Sequence, residues 1–172
     1  MLDLCAGPGS KTTHLAELME NRGKIVACDI DEKRLRPLSE TCVRLGIDIV
    51  GGVILKEGTE PPPGPFDAAL VDVPCSNTGV LGRRPELRWR LKPGDLGRLV
   101  ELQTRLLTQA VERVKPGGVV VYSTCSVEPE ESRGVVDAVR AKVPDLTVEA
   151  EKENLPGRPA DGGYWAKLRK PR

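Results

Sequence analysis

Two cysteines follow apolar runs at points where strands are expected to end. Cys75 lies in AALVDVPCSNTGV, close behind Asp72, and Cys125 lies in VVVYSTCSVEPEES. An isolated cysteine is commonly a buried small apolar residue, which is our interpretation of Cys28 and Cys42. A thiol at a strand end with polar neighbours is instead a candidate nucleophile. If the two strands are adjacent, two thiols and a carboxylate converge on one pocket.

A glycine-rich turn near the N-terminus indicates a nucleotide-type ligand. In LDLCAGPGSKT, residues 2–12, a predicted strand leads through Gly7 and Gly9 into a predicted helix. Glycine lets a backbone approach a ligand closely, and a helix start offers unpaired N–H groups. Asp29 ends the next predicted strand, where an acid accepts hydrogen bonds from ribose hydroxyls in nucleotide-binding folds. A plain tight turn would also explain the glycines alone, but with Asp29 the pattern favours an adenosine-bearing cofactor.

That cofactor is predicted to be neither NAD nor ATP. The order Gly-Pro-Gly-Ser matches neither the dinucleotide fingerprint nor the phosphate-binding GxxxxGK[ST] loop. Five cysteines without CxxC spacing, and a single histidine, argue against a disulfide framework and against a metal site. They favour a reducing, cytoplasmic location.

Composition indicates one globular domain over residues 1–172. The chain is 39% apolar and 30% charged, and 26 basic residues nearly balance 25 acidic ones. RNA binding would therefore need a local basic patch instead of a global positive field. No apolar run reaches the roughly 20 residues of a membrane span, so no membrane partner is expected.

The elements that must position these residues alternate between strand and helix. Predicted strands cover residues 1–5, 24–29, 47–55, 66–72, 117–123, 146–150 and 164–168, and predicted helices cover residues 10–20, 32–45, 95–114 and 129–142. Asp95 is the expected cap of the third helix. Pro129, Glu130 and Glu131 suit the first turn of the fourth, where acids meet the positive end of the helix dipole. The alternation predicts a parallel α/β sheet with ligands at the carboxyl ends of its strands.

Four segments together resemble the RsmB/Nop/Sun family of RNA cytosine-5 methyltransferases. They are LDLCAGPGSKTTHL, VDVPCSNTGVLGRRPELRW, LKPGGVVVYSTCSVEPEES and LPGRPADGGYWAKLRK, in the family's order and over essentially the whole chain. The family pairs a proline-cysteine site with a later threonine-cysteine site. The resemblance implies a Rossmann-like class I fold with a seven-stranded, mostly parallel sheet whose last strand is antiparallel. It implies S-adenosylmethionine (AdoMet) as cofactor and RNA, most simply ribosomal RNA, as substrate.

The resemblance also implies roles for the reactive residues. Cytosine C5 is a poor nucleophile until a thiolate adds to C6, after which C5 can attack the AdoMet methyl group. By resemblance Cys125 is this nucleophile, Cys75 assists removal of the C5 proton and product release, and Asp72 contacts the base. DNA cytosine-5 methyltransferases place the nucleophile in the proline-cysteine motif, so an exchange of the two cysteine roles is the alternative. The base must leave its stack, which predicts single-stranded or flipped RNA.

Two further sets of contacts follow from the resemblance. The cofactor is expected at Asp29, Asp72 and the turn formed by Cys5, Ala6, Gly7, Pro8, Gly9, Ser10 and Lys11. RNA contacts are expected in a basic segment around an aromatic side chain, where basic groups meet phosphates and the aromatic ring stacks on a base. These residues are Arg83, Arg84, Arg88, Trp89 and Arg90. A solvated charged segment is the alternative interpretation.

The chain departs from the family pattern in several places. It starts inside the cofactor motif, so we expect a catalytic domain without the family's N-terminal RNA-recognition region, or a partner that supplies it. The acid that the family carries after its third strand is replaced by apolar residues in VGGVILKEG, where Glu57 is the candidate substitute. Asn77 replaces a usual small residue and Gly7 a usual alanine. Alternative functions are methylation of tRNA or of another nucleobase, and a degenerate domain that binds RNA or a partner without turnover.

Overall fold

The computed structural model describes residues 1–56, 58–157 and 159–172, and within them it forms a single seven-stranded sheet with helices on its faces. The strands are β1 Leu2–Leu4, β2 Ile25–Asp29, β3 Val50–Ile54, β4 Phe66–Asp72, β5 Val114–Thr124, β6 Thr147–Asn154 and β7 Gly163–Arg169. The α-helices are α1 Ser10–Leu18, α2 Glu32–Leu45, α3 Asp95–Arg113 and α4 Arg133–Arg140. Short 3₁₀ turns cover Thr78–Val80, Pro85–Trp89 and Pro129–Glu131.

The strand order confirms the predicted architecture. The order is β3-β2-β1-β4-β5-β7-β6, and β1 to β5 pair in parallel. The last strand, β7, runs antiparallel to both β5 and β6. Because the chain order reverses at β1, the carboxyl ends of β1 and β4 flank the position where such folds bind ligands.

The core lies on both faces of the central strands. Leu2, Leu4, Val71, Val120 and Tyr122 are fully buried. Their side chains come from adjacent strands, so burial of apolar surface holds the middle of the sheet together. The short hydrophobic β1 is flanked by β2 and β4, which explains why its sequence is continuously apolar except at one position, Asp3.

The leucines that recur every three or four residues along α3 do not lie on its most buried face. Leu99, Leu102 and Leu106 are only partly buried. The fully buried positions are Gln103, Leu107, Ala110 and Val111. The leucine face is therefore available to line clefts.

The structure confirms that the third helix starts at Asp95 but corrects its cap, and it corrects the start of the fourth helix. Gly94, in a left-handed conformation, is the N-cap of α3, and Asp95 is the first helical residue; its Oδ2 accepts the Lys92 N–H at 2.8 Å. The fourth helix does not begin at Pro129, which starts a 3₁₀ turn; α4 begins at Arg133. Glu131 is completely buried and lies in the 3₁₀ turn, not in the first turn of α4.

Two predicted strands are longer than expected. β5 begins at Val114, which pairs with Phe66 before a register irregularity, so the Lys-Pro-Gly-Gly segment belongs to the strand and does not end the helix. β6 extends to Asn154 because its pairing with β7 continues as far as Gly163. Across the described ranges, none of the helices has the length and apolar character that crossing a membrane requires.

Candidate active site

The two cysteines of interest meet at the carboxyl ends of β4 and β5. These strands are neighbours, and Asp72 pairs in register with Ser123. The Sγ atoms of Cys75 and Cys125 lie 3.2 Å apart, within hydrogen-bonding distance, although 50 positions separate them in the chain. Both residues are partly exposed. The structure thus brings together the two thiols that the sequence singled out.

Backbone and side-chain contacts hold the two cysteine loops against each other. The Gly79 N–H donates to the Cys125 carbonyl at 3.0 Å, and the Gly79 carbonyl accepts the Gly162 N–H at 2.8 Å. Asn77 has a left-handed backbone, with φ of 62°. Its Nδ2 donates to the Cys75 carbonyl at 2.8 Å, and its Oδ1 lies 3.1 Å from Cys125 Sγ as an acceptor. Asn77, at a position where the family usually has a small residue, therefore places its side-chain amide next to the Cys125 sulfur.

The two thiols have different proton affinities. The hydrogen bond from the Cys125 thiol lowers the pKa of Cys75 to about 7, against the opposing effect of burial. The same bond, together with burial, raises the pKa of Cys125. Burial raises the pKa of Cys5 and of Cys28 to about 12. Cys75 is therefore the more easily ionised of the two thiols.

Asp72 lies next to this pair and joins it to the glycine turn. Its Oδ1 accepts the Ser123 hydroxyl at 2.6 Å, and its Oδ2 binds Lys11 Nζ at 2.6 Å. Lys11 opens α1, so one ion pair connects the ends of β4 and the glycine turn. The side chain of Asp72 is about one third exposed and can still meet a ligand.

The glycine turn is held closely by α2. A Cβ at Gly7 would lie 2.5 Å from the Arg34 Cβ, and one at Gly9 would lie 2.6 Å from Leu38 Cδ1. Gly9 also has φ of 108°, which favours glycine. These two positions must therefore lack a side chain for the turn and α2 to approach.

Asp29 supports the turn from the end of β2. Its Oδ2 accepts the Gly7 N–H at 3.0 Å, and its Oδ1 accepts the Asp31 N–H at 3.1 Å. Arg34 lies 3.8 Å from the carboxylate and donates to the Gly7 carbonyl at 2.9 Å. The Asp29 side chain is almost fully buried. Ribose hydroxyls would have to use its remaining lone pairs, so ribose binding by Asp29 stays a prediction.

Asp3 provides an unused acceptor where the turn begins. Thr12 donates to its Oδ2 at 2.6 Å, whereas its buried Oδ1 has no hydrogen-bond partner among the described residues. Burial raises the pKa of Asp3 to about 7. Three neighbouring strands each contain an aspartate: Asp29 ends β2, Asp72 ends β4, and Asp3 lies within β1 between them. This edge of the sheet is therefore acidic. An acidic edge with a free acceptor fits AdoMet, because that cofactor carries a sulfonium and an ammonium group.

Two clefts meet on either side of Leu102. The first has a volume of about 580 Å³ and an apolar wall formed by Ile30, Leu55, Leu102 and Leu106. Ile30 directly follows Asp29 and is 74% exposed, so it offers an apolar surface for an adenine ring. Glu57, the candidate for the missing acid near this position, lies outside the described residues.

The second cleft, of about 390 Å³, reaches Cys75. Its lining includes the polar residues Cys75 and Asn77 and the leucines Leu99 and Leu102, and Arg90 contributes a positive charge. Arg98 lines the same cleft and was not anticipated from the sequence, because its position on an exposed helix face carries no local signal. A small apolar wall beside one thiol and two guanidinium groups, one of which pairs with Asp95, suits a base with its phosphate.

The basic segment forms a 3₁₀ turn beside this cleft. Trp89 is 83% exposed, and Arg88 is also exposed. Arg83 pairs with Asp161 at 3.0 Å, and Arg84 with Glu86 at 3.2 Å, so two of the predicted RNA contacts already have acidic neighbours. Of the predicted RNA-contact residues, which the structure describes in full, Arg90 is the one that lines the cleft containing Cys75, and Leu87 of the 3₁₀ turn lines it as well.

Known proteins resemble this chain in sequence. The ribosomal RNA small subunit methyltransferase B of Klebsiella pneumoniae (strain 342) is 39% identical over 186 residues, which cover 100% of this chain and 42% of that protein. The corresponding protein of Salmonella newport (strain SL254) is 39% identical over 182 residues, covering 98% of this chain and 41% of that protein. The chain thus spans less than half the length of these relatives.

Solved structures resemble it in fold. The crystal structure of PH0851 superposes with a TM-score of 0.93 at 36% identity, covering 98% of this chain and 42% of that one. NSun6 from Pyrococcus horikoshii, solved with SFG, gives 0.86 at 31% identity, covering 99% of this chain and 47% of that one.

The chain also matches a family profile over most of its length. The profile described as 16S rRNA methyltransferase RsmB/F matches residues 1–162. The match extends from the glycine turn through both cysteine loops, so it confirms the resemblance that the four sequence segments indicated. The chain belongs to the RsmB/F family of 16S rRNA methyltransferases.

Proposed function

We propose that the protein transfers a methyl group from AdoMet to C5 of a cytosine in RNA, with Cys125 adding to C6 of the base. The observation that supports this most directly is the 3.2 Å contact between Cys75 and Cys125. An enzyme of this class needs one sulfur to form a bond to the base and a second group to remove a proton. The RsmB/F assignment agrees with AdoMet as the cofactor and with ribosomal RNA as the substrate.

The cofactor would be held by the glycine turn, by Asp29 and by the free acceptor of Asp3. When bound, AdoMet supplies the electrophilic methyl group. Lys11 fixes Asp72 at 2.6 Å, so the Asp72 carboxylate is held between the turn and the cysteine pair. That placement suits contact with the base, the role that the resemblance gives Asp72.

The proton positions suggest an order of events. Cys125 gives its proton to the Cys75 thiolate, and the resulting Cys125 thiolate forms a bond to C6. Cys75 then releases the acquired proton to solvent, so that its thiolate is available for the later step. After C5 has accepted the methyl group, Cys75 takes the C5 proton, the Cys125–C6 bond breaks, and the C5–C6 double bond forms again. Neither sulfur changes oxidation state.

RNA would approach along the basic segment. Trp89 is exposed for stacking, and Arg90 and Arg98 lie where a phosphate next to the target base could be bound. We propose that Arg83, Arg84 and Arg88 contribute charge at a greater distance from the thiols.

The test is product analysis with two cysteine variants. The protein is incubated with methyl-labelled AdoMet and 16S ribosomal RNA, and nucleosides are identified by mass spectrometry. We expect 5-methylcytidine from the wild type, none from Cys125→Ala, and a denaturation-resistant RNA–protein adduct from Cys75→Ala. Wild-type product formation by Cys125→Ala would refute the nucleophile. An adduct in Cys125→Ala instead of Cys75→Ala would exchange the two roles, and label on another nucleobase would refute cytosine as the target.

Cofactor binding is tested separately by calorimetric titration with AdoMet, with Asp29→Ala as comparison. We expect binding by the wild type and weaker binding by the variant. Absence of AdoMet binding by the folded wild-type chain would instead support a domain without turnover, for which salt-sensitive RNA binding would be the remaining activity.

A further inference from the structure

Glu131 is a buried carboxylate behind the two cysteine loops. Its residue exposure is 0%, although its sequence context predicted an acid in the first turn of a helix. Its Oε1 accepts the Ser76 backbone N–H at 2.9 Å and Gln103 Nε2–H at 2.8 Å, and its Oε2 accepts the Ser76 hydroxyl. The salt bridges among the described residues include none to Glu131, so neutral donors alone satisfy this carboxylate.

The contacts of Glu131 continue to both cysteine loops. Ser76 directly follows Cys75, and its Oγ lies 3.0 Å from the Ser126 Oγ. Ser126 directly follows Cys125 and is also completely buried. One chain of hydrogen bonds therefore runs from Glu131 through Ser76 to Ser126 and reaches a neighbour of each reactive sulfur.

Gln103 connects the same carboxylate to the helix that lines both clefts. Its Nε2 also donates to the Pro74 carbonyl at 2.9 Å, one residue before Cys75. The Tyr122 hydroxyl donates to the Glu131 carbonyl at 2.6 Å, which ties the turn to β5. Residues 74 and 76, on either side of Cys75, are thus both fixed through Gln103 and Glu131.

Burying a carboxylate is unfavourable unless its oxygens accept hydrogen bonds, and a half-satisfied network is worse than an apolar contact. Three groups donate hydrogen bonds to the Glu131 carboxylate: the Ser76 N–H, the Ser76 hydroxyl and the Gln103 side-chain amide. Because a carboxylate can only accept, each of these groups must point a hydrogen at it. A carboxylate thereby dictates the orientation of the Ser76 N–H and O–H. An amide N–H₂ at the Oε1 position would oppose the N–H groups of Ser76 and Gln103. At the Oε2 position it would force the Ser76 hydroxyl to accept instead of donate, which changes the chain of hydrogen bonds.

We propose that Glu131 is a positioning residue that holds the Cys75 and Cys125 sulfurs at reacting distance. The inference rests on the proposed function in one respect, that these two thiols are the reacting groups. Glu131 itself does not touch the sulfurs; it acts through Ser76, Ser126 and Gln103.

The test measures sulfur proximity directly in the full chain. Diamide oxidises two neighbouring thiols to a disulfide while its azo bond takes up both protons and both electrons and becomes a hydrazine. The rate of Cys75–Cys125 disulfide formation is followed by peptide mass spectrometry in the wild type and in Glu131→Gln. Glu130→Gln, an exposed change of the same chemistry one residue away, is the matched control. Circular dichroism and urea unfolding establish that each variant is folded under the reaction conditions.

We expect Glu131→Gln to form the disulfide at least about tenfold more slowly, and Glu130→Gln to match the wild type within about twofold. A purely structural role would lower the urea midpoint of Glu131→Gln while the folded variant formed the disulfide at the wild-type rate. That outcome would overturn the proposal. If Glu131→Gln does not fold, Ser76→Ala interrupts the hydroxyl chain while Glu131 stays, and an unchanged disulfide rate in this variant would equally overturn it.

This measurement needs no cofactor, no RNA and no turnover. It therefore remains decisive if the protein fails to methylate cytosine. If methylation is observed, Glu131→Gln is further expected to lower kcat with little change in the KM for AdoMet, because the cofactor turn does not contact Glu131 in the hydrogen-bond network described above. A change confined to that KM would contradict a role at the sulfurs.

Discussion

The Sγ atoms of Cys75 and Cys125 lie 3.2 Å apart, within hydrogen-bonding distance, and this contact makes the two thiols unequal. It lowers the pKa of Cys75 and raises that of Cys125. The sulfur whose pKa is lowered is thus not the one to which the family resemblance gives the nucleophilic role. Transfer of one proton from Cys125 to Cys75 would make these pKa shifts compatible with Cys125 as the nucleophile.

The proton arrangement predicts the pH dependence of Cys75 reactivity. Alkylation of Cys75 by iodoacetamide should follow its thiolate, with a midpoint near pH 7. Cys125→Ala removes the donor, so the midpoint should move upward, toward the ordinary value of 9.0. Site-resolved mass spectrometry after short exposure across a pH series measures both. An unchanged midpoint in Cys125→Ala would mean that the thiol–thiol bond does not stabilise the thiolate.

Asn77 should influence the second thiol. Asn77→Gly removes the amide whose Oδ1 lies 3.1 Å from Cys125 Sγ as an acceptor and whose Nδ2 donates to the Cys75 carbonyl at 2.8 Å, while glycine tolerates the left-handed backbone. Loss of two hydrogen bonds of about 1 kcal/mol each should lower the free energy of unfolding by about 1–2 kcal/mol. Loss of the acceptor that favours the protonated thiol should not slow methyl transfer. Asn77→Asp puts a negative charge beside Cys125 and should raise the pKa of that thiol further, slowing transfer. A faster Asn77→Asp enzyme at neutral pH would contradict the contact.

Asp3 should make the protein less stable as the pH rises. Its pKa is about 7 in the fold against an ordinary 3.8, so the stabilising effect of the protonated form is complete below 3.8 and lost by about pH 7. A shift of this size corresponds to about 4 kcal/mol. Asp3→Asn removes the charge, and its free energy of unfolding should exceed that of the wild type at pH 8 but not near pH 4. Urea titrations at several pH values test this, and a gain that is independent of pH would refute it.

Gly79 should be intolerant of a side chain. A Cβ there would overlap the Gly162 carbonyl and lie 2.7 Å from the Cys125 carbonyl. Gly79→Ala should lower the free energy of unfolding by about 1–3 kcal/mol, because both contacts are backbone and cannot move aside cheaply. Gly82→Ala, where nothing lies within 4 Å, is the control and should be close to neutral. Equal stability of the two variants in urea unfolding would contradict the close approach of the loops.

Trp89 and Arg88 should affect RNA binding in different ways. Trp89→Ala removes an exposed stacking surface and should weaken binding by about 1–3 kcal/mol with little change in salt dependence. Arg88→Gln should reduce the slope of log affinity against log salt by about 1. Arg36→Gln, on α2, is a charge-matched control. Fluorescence anisotropy with labelled RNA at several salt concentrations measures both; identical curves for all three variants would exclude the segment from RNA contact.

Much of this protein follows from local sequence. The glycine turn, the alternation of strands and helices, and the position of each cysteine after an apolar run all depend on neighbouring residues, because strand periodicity and glycine conformation are local properties. Family motifs of this kind also predicted the sheet with its antiparallel last strand. The start of α4 was predicted wrongly because Pro129 and the acids behind it are equally compatible with a 3₁₀ turn.

The tertiary structure decided what the local patterns could not. Cys75 and Cys125 come within 3.2 Å only because β4 and β5 are adjacent and their loops are bonded through Gly79. Glu131 looks like any acid at a helix start until Ser76, 55 positions away, directs two donors at it. Sequence determined which groups the site contains, whereas their proton affinities and burial arise from contacts between distant segments, which no local pattern specifies.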